Sequence, residues 1–161
     1  MTQRILFVCL GNICRSPAAQ AIMDHLAELY GVADQFYFDS AAIGPWHVGQ
    51  LPDSRMRKHG ARRGLRFTHR GRQVSQRDFQ DFDLIIGMDE ENMQALQRLQ
   101  PKGGHRADLR CMADFLTHHP EHKTVPDPYY GGPEGFELAL DLLEDACEEL
   151  LKQLMGKSRS R

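Results

Sequence analysis

The sequence contains no long apolar run. Its longest clean one, residues 5–10, is far shorter than the ~20 residues that a membrane-spanning helix needs. The same segment has neither the length nor the small-residue cleavage site of a signal peptide. We therefore expect a cytoplasmic protein without a membrane partner, in a compartment where thiols stay reduced.

An excess of charge of one sign is also missing. The 20 lysines and arginines nearly balance the 22 aspartates and glutamates, which gives a formal net charge of −2 at pH 7. A nearly neutral chain has no general attraction for nucleic acid, so we expect no nucleic-acid partner. A local positive site for an anionic substrate is compatible with this balance.

Cysteine is scarce and irregularly spaced. The four cysteines contain no CxxC pair, so structural disulfides are not expected and one reactive thiol becomes the feature to look for. Cys111 is followed by three histidines, but its spacing to His118 fits no common zinc finger and a second cysteine is missing. We expect no metal and no other cofactor.

The length of the chain fits one domain. A chain of 161 residues can bury a single core, and this one shows no internal repeat, low-complexity block or linker. Residues 1–156 are expected to form the domain. The last residues, 157–161, are basic and are expected to be a disordered tail.

Short apolar runs alternate with stretches of helical periodicity. β-branched and aromatic residues at 4–9 predict a strand buried on both faces, as in a parallel sheet. Ser16 is expected to cap the next helix, with Pro17 as its first residue. The alternation predicts an α/β fold whose helices cover both faces of a parallel sheet. The predicted strands are residues 4–9, 36–41, 83–88 and 107–112, and the predicted helices are residues 16–30, 53–63, 74–79 (a short turn), 89–99 and 133–155.

The segment from Cys9 to Arg15 joins the first predicted strand to the first predicted helix. The strand delivers Cys9 to the sheet edge at which α/β proteins bind ligands. Backbone N–H groups of the following loop and of the helix N-terminus can converge into a cradle for an anion. Gly11 and Asn12 tolerate the positive φ that such a loop needs, and Arg15 can bind two phosphate oxygens at once. The predicted phosphate-binding residues are Leu10, Gly11, Asn12, Ile13, Cys14 and Arg15.

Cys9 faces this cradle and is the predicted nucleophile. A free thiol is only about 3% ionised at pH 7. The cradle, Arg15 and a hydrogen bond from Ser16 are together expected to stabilise the thiolate, so that it can attack phosphorus. The alternative is that Cys9 is a small apolar core residue, as a cysteine at the end of a buried strand usually is.

Asp127 is the predicted general acid. A phenolate leaving group departs more easily when it is protonated as its bond to phosphorus breaks. Pro126 and Pro128 exclude a helix around the aspartate and stiffen the loop. Tyr129 and Tyr130 supply apolar surroundings that favour the protonated carboxyl group and can face an aromatic substrate. The alternative is a proline-rich turn in which the aspartate is a turn residue.

Two motifs resemble the low-molecular-weight protein tyrosine phosphatase family: VCLGNICRSP at residues 8–17 and DPYY at residues 127–130. Three middle segments, WHVGQLPDSR, THRGRQV and MDEEN, resemble the family in the same order. The resemblance implies a four-stranded parallel sheet, expected in the order 2-1-3-4, and no metal. It further implies that Cys9 is the nucleophile, Arg15 the phosphate clamp, and Asp127 the general acid and then the base for water.

The resemblance also implies supporting roles. Asn12 and Ser16 would maintain the loop and the thiolate, and His69 would belong to the hydrogen-bond network behind them. Three aromatic side chains would wall the substrate cleft: Trp46, Tyr129 and Tyr130.

Two further residues bear on substrate and regulation. Relatives with threonine in place of Ile13 are associated with phosphoarginine, so isoleucine favours phosphotyrosine. Cys14 resembles a second cysteine that can form a reversible disulfide with the nucleophile and protect it from overoxidation. Passive packing is an equal alternative for Cys14.

The sequence therefore predicts a phosphatase that hydrolyses aryl phosphate monoesters, preferably phosphotyrosine in a protein, through a phosphocysteine, and releases inorganic phosphate. Two alternatives stay open. An arsenate reductase on the same fold would need two further redox cysteines, and residues 70–110 contain none. A non-catalytic phosphate-binding module would keep Arg15 without needing Cys9 and Asp127, yet both are present.

Overall fold

The central sheet of the computed structural model, which describes residues 2–159, consists of β1 (Gln3–Cys9), β2 (Phe36–Ala42), β3 (Leu84–Gly87) and β4 (Asp108–Cys111). All neighbouring strands are parallel and lie in the order β2-β1-β3-β4, which confirms the predicted order. The helices are α1 (Arg15–Leu29), α2 (Ser54–Ala61), α3 (Asp78–Asp81), α4 (Glu90–Leu99) and α5 (Pro133–Arg159), with short 3-10 helices at Ala33–Gln35 and Met112–Phe115.

β1 is an inner strand and is buried on both faces. Ile5 and Phe7 belong to the core on one side of the sheet, and Leu6 and Val8 to the core on the other. Successive side chains of a strand point to opposite faces, so an inner strand covered on both sides needs a continuous apolar run. The sequence of β1 supplies one.

Helices cover both faces of the sheet, as predicted. α1, α2 and α5 contribute to the core on one side, and α3 and α4 to the core on the other. No helix among residues 2–159, α5 included, has the apolar length needed to cross a membrane. The apolar stripe of α5 is at most 4% exposed and consists of Phe136, Leu140, Leu143, Cys147, Leu150 and Leu154.

α1 begins two residues earlier than expected. Cys14 occupies the N-cap and Arg15 is the first helical residue, so the prediction that Ser16 caps the helix is wrong. The Ser16 hydroxyl is instead hydrogen-bonded within the loop that precedes the helix. Pro17 is tolerated because the N–H groups of a first helical turn have no partner inside the helix.

The short helical turn predicted at residues 74–79 is wrong in position, because α3 begins at Asp78. The Val74 N–H donates to the Ala42 carbonyl over 2.8 Å, so this segment runs extended beside the end of β2. The Asp78 carboxylate accepts a hydrogen bond from the Ser75 N–H at 2.9 Å and fixes the turn before α3. A partner from elsewhere in the fold thus overrides the local preference.

α5 continues beyond its expected end at residue 155 and reaches Arg159. α5 takes in residues 157–159 of the expected tail, residues 160–161 lie outside the described residues, and the disordered tail stays a prediction. No proline interrupts the segment, which allows the helix to continue.

The parallel strands bring their carboxyl ends to one edge of the sheet. Cys9 ends β1, Ala42 ends β2 and Gly87 ends β3. The loops that follow these three strands meet at this edge, which is where open α/β sheets bind their ligands.

Candidate active site

Cys9 lies at the end of β1 and is 3% exposed. Its sulfur is 3.1 Å from Ser16 Oγ and accepts a hydrogen bond from the Ser16 backbone N–H at 3.4 Å. That N–H belongs to the first turn of α1, where backbone donors have no partner within the helix. The helix start therefore supplies donors that stabilise a negative charge on the sulfur.

Two carbonyl groups of the loop between β1 and α1 are bonded to neighbouring segments outside the loop. The Leu10 carbonyl accepts from the Gly44 N–H at 3.1 Å, and the Ile13 carbonyl accepts from the Asp53 N–H at 2.7 Å. In a planar trans peptide the C=O and N–H point in opposite directions. The N–H groups of the same peptide units are therefore directed into the loop, as an anion-binding loop requires.

Asn12 holds the shape of this loop. Its φ of 58° lies in the left-handed region, and no other non-glycine residue of the described chain has a positive φ. Its Nδ2 donates to Ser16 Oγ at 2.8 Å and to Ser40 Oγ at 3.0 Å. Its Oδ1 accepts from the Arg72 N–H at 3.2 Å and lies 2.7 Å from His69 Nε2. These contacts offset the cost of the backbone conformation and of burying the amide.

Gly11 does not adopt the positive φ that the sequence suggested. Its lack of a side chain matters for another reason, since a Cβ at this position would lie 3.1 Å from Cδ2 of the His47 ring. His47 lines the cleft, a position that no sequence pattern indicated. Its Nδ1 lies 2.8 Å from Gln50 Oε1, which orients the ring.

Arg15 is 1% exposed, and its guanidinium is surrounded by oxygen atoms. Nη1 donates to Asp89 Oδ2 at 2.6 Å and to the Val125 carbonyl at 2.9 Å, while Nη2 lies 3.5 Å from Asp127 Oδ2. Burial would lower the pKa of Arg15, but the charge of Cys9 and the bond to Asp89 outweigh it and the pKa is raised. Nε is buried without a hydrogen-bond partner among the described residues. A buried donor is costly without an acceptor, so this N–H is available to an oxygen of a bound anion.

Asp127 lines the same cleft as Cys9. Its Oδ1 accepts from the Tyr129 N–H at 3.1 Å, which is the local contact of a turn residue. Its Oδ2 faces Arg15, and its side chain is 30% exposed. Asp127 thus has both the turn contact and the position in the cleft that the sequence left as alternatives.

The cleft has a volume of about 350 Å³. The predicted phosphate-binding residues lie around it, except that Asn12 and Arg15 lie behind the wall. Its lining consists of Cys9, Leu10, Gly11, Ile13, Cys14, Trp46, His47, Asp127, Tyr129 and Tyr130.

Aromatic side chains form the mouth of the cleft. Trp46 is 62% exposed and Tyr130 is 92% exposed, so both lie at the rim. The rings of Tyr129 and Tyr130 are 4.9 Å apart and nearly perpendicular. The Trp46 ring folds back over Gly44, where a Cβ would lie 1.9 Å from it. The mouth offers the apolar surface that an aryl group needs.

His69 lies behind Asn12, as the resemblance implied, but the charged residues that hold His69 in place were not expected from the sequence. His69 Nδ1 lies 3.3 Å from Asp39 Oδ1, and Arg72 bridges Asp39 and Asp78 with N–O distances of 3.0 Å. Burial would raise the pKa of Asp39, but its hydrogen bond with His69 and the charge of Arg72 lower it. An ionised Asp39 fixes the His69 ring and, through it, Asn12. The sequence signal for this role is an aspartate, followed by a serine, inside a strand whose other residues are aromatic or alanine.

Asp89 has two roles, of which the sequence predicted one. It caps α4 as expected, since its Oδ1 accepts from the Asn92 N–H at 2.8 Å. Its other oxygen binds Arg15. The position of Asp89 just after β3, at the same edge as Cys9, is the only sequence signal for this second contact.

Cys14 is 3% exposed in the wall of the cleft. Burial and, less strongly, the charge of Asp53 raise the pKa of its thiol. It therefore favours the uncharged thiol form beside the cleft. All four cysteines are free.

The fold and the site together define a class of protein. The sheet is parallel, its first strand ends in a buried cysteine, and an anion-binding loop and a buried arginine follow directly. These are the features of an α/β phosphatase that carries a cysteine in its phosphate loop.

Comparison with known families makes the assignment specific. Residues 4–160 match the model of the family described as low molecular weight phosphotyrosine protein phosphatase. The chain belongs to this family of hydrolases, and the resemblance inferred from its motifs is confirmed.

Individual relatives agree with the family assignment. Low molecular weight phosphotyrosine protein phosphatase 1 of Drosophila melanogaster is 44% identical over 158 residues, which cover 98% of this chain and 100% of the relative. A crystal structure of protein tyrosine phosphatase from Entamoeba histolytica, with Hepes in the active site, has a TM-score of 0.91 at 42% identity, covering 98% and 99% of the two chains. The structure of a Drosophila arginine phosphatase has a TM-score of 0.88 at 33% identity, covering 93% and 96%.

Proposed function

We propose that this protein is a protein-tyrosine phosphatase that hydrolyses aryl phosphate monoesters through a phosphocysteine on Cys9. The observation that carries the proposal is the convergence of three groups on one cleft. The Cys9 sulfur and the Asp127 carboxylate line it, and Arg15 lies behind it with a buried Nε that has no partner within the described residues.

Binding of the phosphate is assigned to the loop and to Arg15. The inward N–H groups and the guanidinium fork hold the non-bridging oxygens. A dianionic phosphate competes with Asp127 for Nη2 of Arg15, which lies 3.5 Å from the carboxylate. Asp127 then loses this contact and is free to face the leaving group, to which it is assigned to give a proton.

The first chemical step transfers the phosphoryl group to sulfur. The Cys9 thiolate attacks phosphorus, and the S–P bond forms while the bond from phosphorus to the tyrosine oxygen breaks. The leaving oxygen takes the proton of Asp127 and departs as neutral tyrosine. The enzyme is left with a phosphocysteine and an ionised Asp127.

The second step returns the enzyme to its starting state. Asp127 accepts a proton from a water molecule, and the water oxygen bonds to phosphorus as the S–P bond breaks. The thiolate leaves phosphorus and is stabilised by the hydrogen-bond donors of Ser16, whose Oγ is 3.1 Å from the sulfur. Inorganic phosphate is released.

The preference for phosphotyrosine is supported by the mouth of the cleft. Trp46 and the two tyrosines line the same cleft as the loop and offer apolar faces to an aromatic ring. Ile13 lines the cleft and presents only apolar atoms to the leaving group. A guanidino leaving group, as in phosphoarginine, has N–H donors that isoleucine cannot satisfy.

The arsenate reductase alternative receives less support from the site. Cys147 is fully buried in the apolar stripe of α5, and Cys111 ends β4, which is separated from β1 by β3. Neither thiol lines the cleft that contains Cys9. We infer that the protein acts in the cytoplasm, where its four free thiols would stay reduced.

The proposal is tested by hydrolysis of p-nitrophenyl phosphate in excess EDTA. Wild type should be fully active, Cys9→Ser should have essentially no activity, and Asp127→Asn should lose about 10²–10³-fold in kcat. Mass spectrometry of acid-quenched wild-type turnover should find phosphate on the peptide that contains Cys9. An active Cys9→Ser enzyme would eliminate the mechanism.

A further inference from the structure

Arg55 connects the loop that carries Asp127 to the rest of the site. Its Nη2 donates to the Tyr129 carbonyl at 3.0 Å. Tyr129 is two residues from Asp127, and its own N–H is bonded to the Asp127 carboxylate. The hydrogen bond that holds the Tyr129 backbone therefore also restrains the carboxyl group of Asp127.

Arg55 is itself held by Asp53. Its Nε donates to Asp53 Oδ1 at 3.0 Å and its Nη2 to Oδ2 at 2.9 Å, which is a bidentate fork. The Asp53 N–H donates to the Ile13 carbonyl at 2.7 Å, within the phosphate loop. A continuous chain of hydrogen bonds thus runs from Ile13 through Asp53 and Arg55 to Tyr129.

Two aromatic rings also contact the guanidinium of Arg55. Its Cζ lies 5.3 Å from the centre of the Tyr129 ring and 4.8 Å from the centre of the Phe136 ring. Phe136 is 1% exposed and belongs to α5, so it provides a rigid surface. The planar fork of arginine, unlike the ammonium of lysine, satisfies the carboxylate, the carbonyl and the rings together.

From this geometry we propose that Arg55 is a positioning residue that sets the distance between the Asp127 carboxyl and the phosphate loop. The inference rests on the proposed function, since it needs Asp127 to be the general acid. Arg55 is 45% exposed, and exposed ion pairs contribute little to stability. Its effect is expected in catalysis, where a displacement of about 1 Å can cost up to ~10²-fold.

Leaving-group dependence separates this role from a purely structural one. Phenyl phosphate has a poor leaving group that needs a proton from Asp127, whereas dinitrophenyl phosphate has a good leaving group that departs without one. A misplaced acid therefore slows the first substrate and spares the second. General loosening of the fold slows both.

The test measures kcat/KM for both substrates in Arg55→Met, which keeps an apolar stem but removes the fork. We expect a loss of about tenfold or more with phenyl phosphate and of less than about twofold with dinitrophenyl phosphate. Arg55→Lys should fall between Arg55→Met and wild type, because it keeps a cation over the rings without the fork. If Arg55→Met folds poorly, Arg55→Lys still allows the two substrates to be compared.

Arg57→Met is the matched control, because Arg57 lies on the same helix but donates to the Pro52 carbonyl instead. It should change neither substrate by more than about twofold. Equal losses on both substrates in Arg55→Met, or no loss on either, would overturn the positioning role. Asp127→Asn removes the acid altogether, so it gives the largest difference expected between the losses with phenyl phosphate and with dinitrophenyl phosphate. Equal losses with the two substrates in Asp127→Asn would overturn the proposed function itself.

Discussion

Arg15 Nη1 donates to the Asp89 carboxylate over 2.6 Å, and the same carboxylate caps α4 through the Asn92 N–H. One side chain thus ties the first residue of α1 to the beginning of α4. Because Arg15 is also held by the Val125 carbonyl, its orientation is set before any substrate arrives. A guanidinium with a fixed orientation can present Nε and Nη2 to a phosphate without first losing rotational freedom.

Asp89→Asn should show how much the fixed orientation of Arg15 contributes to kcat. Asparagine caps helices as well as aspartate does, so α4 should be retained. The variant loses the charge opposite Arg15, and we expect kcat with p-nitrophenyl phosphate to fall by about tenfold while KM changes less. Glu90→Gln removes a neighbouring exposed charge from the same helix end and serves as the control. An unchanged kcat in Asp89→Asn would contradict the role assigned to this pair.

Asn12 allows backbone conformation and side-chain contacts to be separated. Asn12→Gly keeps the freedom to adopt a φ of 58° but loses the amide, whereas Asn12→Ala loses both. Both variants should be less active than wild type, because His69 and Ser16 lose a partner. In urea denaturation Asn12→Ala should be about 1 kcal/mol less stable than Asn12→Gly. Equal stabilities would show that the left-handed conformation does not persist in the alanine variant.

Asp145 should make stability depend on acid pH. Burial would raise its pKa, but the hydrogen bonds from His119 and Thr117 outweigh it and lower the pKa from 3.8 to about 2. A carboxyl group with a lowered folded-state pKa stabilises the fold above its unfolded-state pKa, and this stabilisation is lost as the pH falls toward 2. The contribution is about 2 kcal/mol.

The measurement is the free energy of unfolding of wild type and Asp145→Asn at several pH values. Other carboxyl groups titrate equally in both proteins, so the difference between the two reports Asp145. We expect this difference to shrink by about 2 kcal/mol between about pH 5 and pH 2. A difference that does not change with pH would mean that Asp145 is not the group responsible.

Ile13 should determine the choice between phosphotyrosine and phosphoarginine. Threonine at this position would place a hydroxyl group where the leaving group is bound, and a hydroxyl can accept a hydrogen bond from a guanidino N–H. We expect Ile13→Thr to shift the ratio of kcat/KM values toward phosphoarginine by about tenfold or more. Ile13→Val keeps a branched apolar side chain and should retain the preference of wild type. A shift of the same size in the valine variant would assign the effect to shape rather than to the hydroxyl.

Local patterns were sufficient for the parts of the protein that depend on local chemistry. The apolar run of β1 and the stripe of α5 follow directly from burial, and Cys9 and Arg15 are recognisable from the strand, loop and helix around them. The contacts that complete the site join residues far apart in the chain, such as Arg15 and Asp89. No local pattern specifies which two loops meet at the sheet edge.

The same limit explains the boundaries that were wrong. Ser16 has a strong preference for capping a helix, but its hydroxyl is needed by Asn12 and by the Cys9 sulfur. Val74 lies in an extended segment because its N–H donates to the carbonyl of Ala42, the last residue of β2. In both cases a hydrogen bond of the folded chain, within the loop for Ser16 and to a distant strand for Val74, is worth more than the helix propensity, which is a few tenths of a kcal/mol to ~1 kcal/mol.

The uniform direction of the four strands gives the molecule a functional polarity. Cys9 and the loops that begin at Ala42 and Gly87 lie at one rim, whereas the strands start with Gln3, Phe36, Leu84 and Asp108 at the other. In a saturation mutagenesis experiment for activity, exposed residues at the amino-end rim should therefore tolerate substitution better than residues at the rim that carries Cys9. Tags, labels and fused partners attached at the amino-end rim should leave turnover intact. The same attachments at the rim that carries Cys9 should block the cleft and abolish activity.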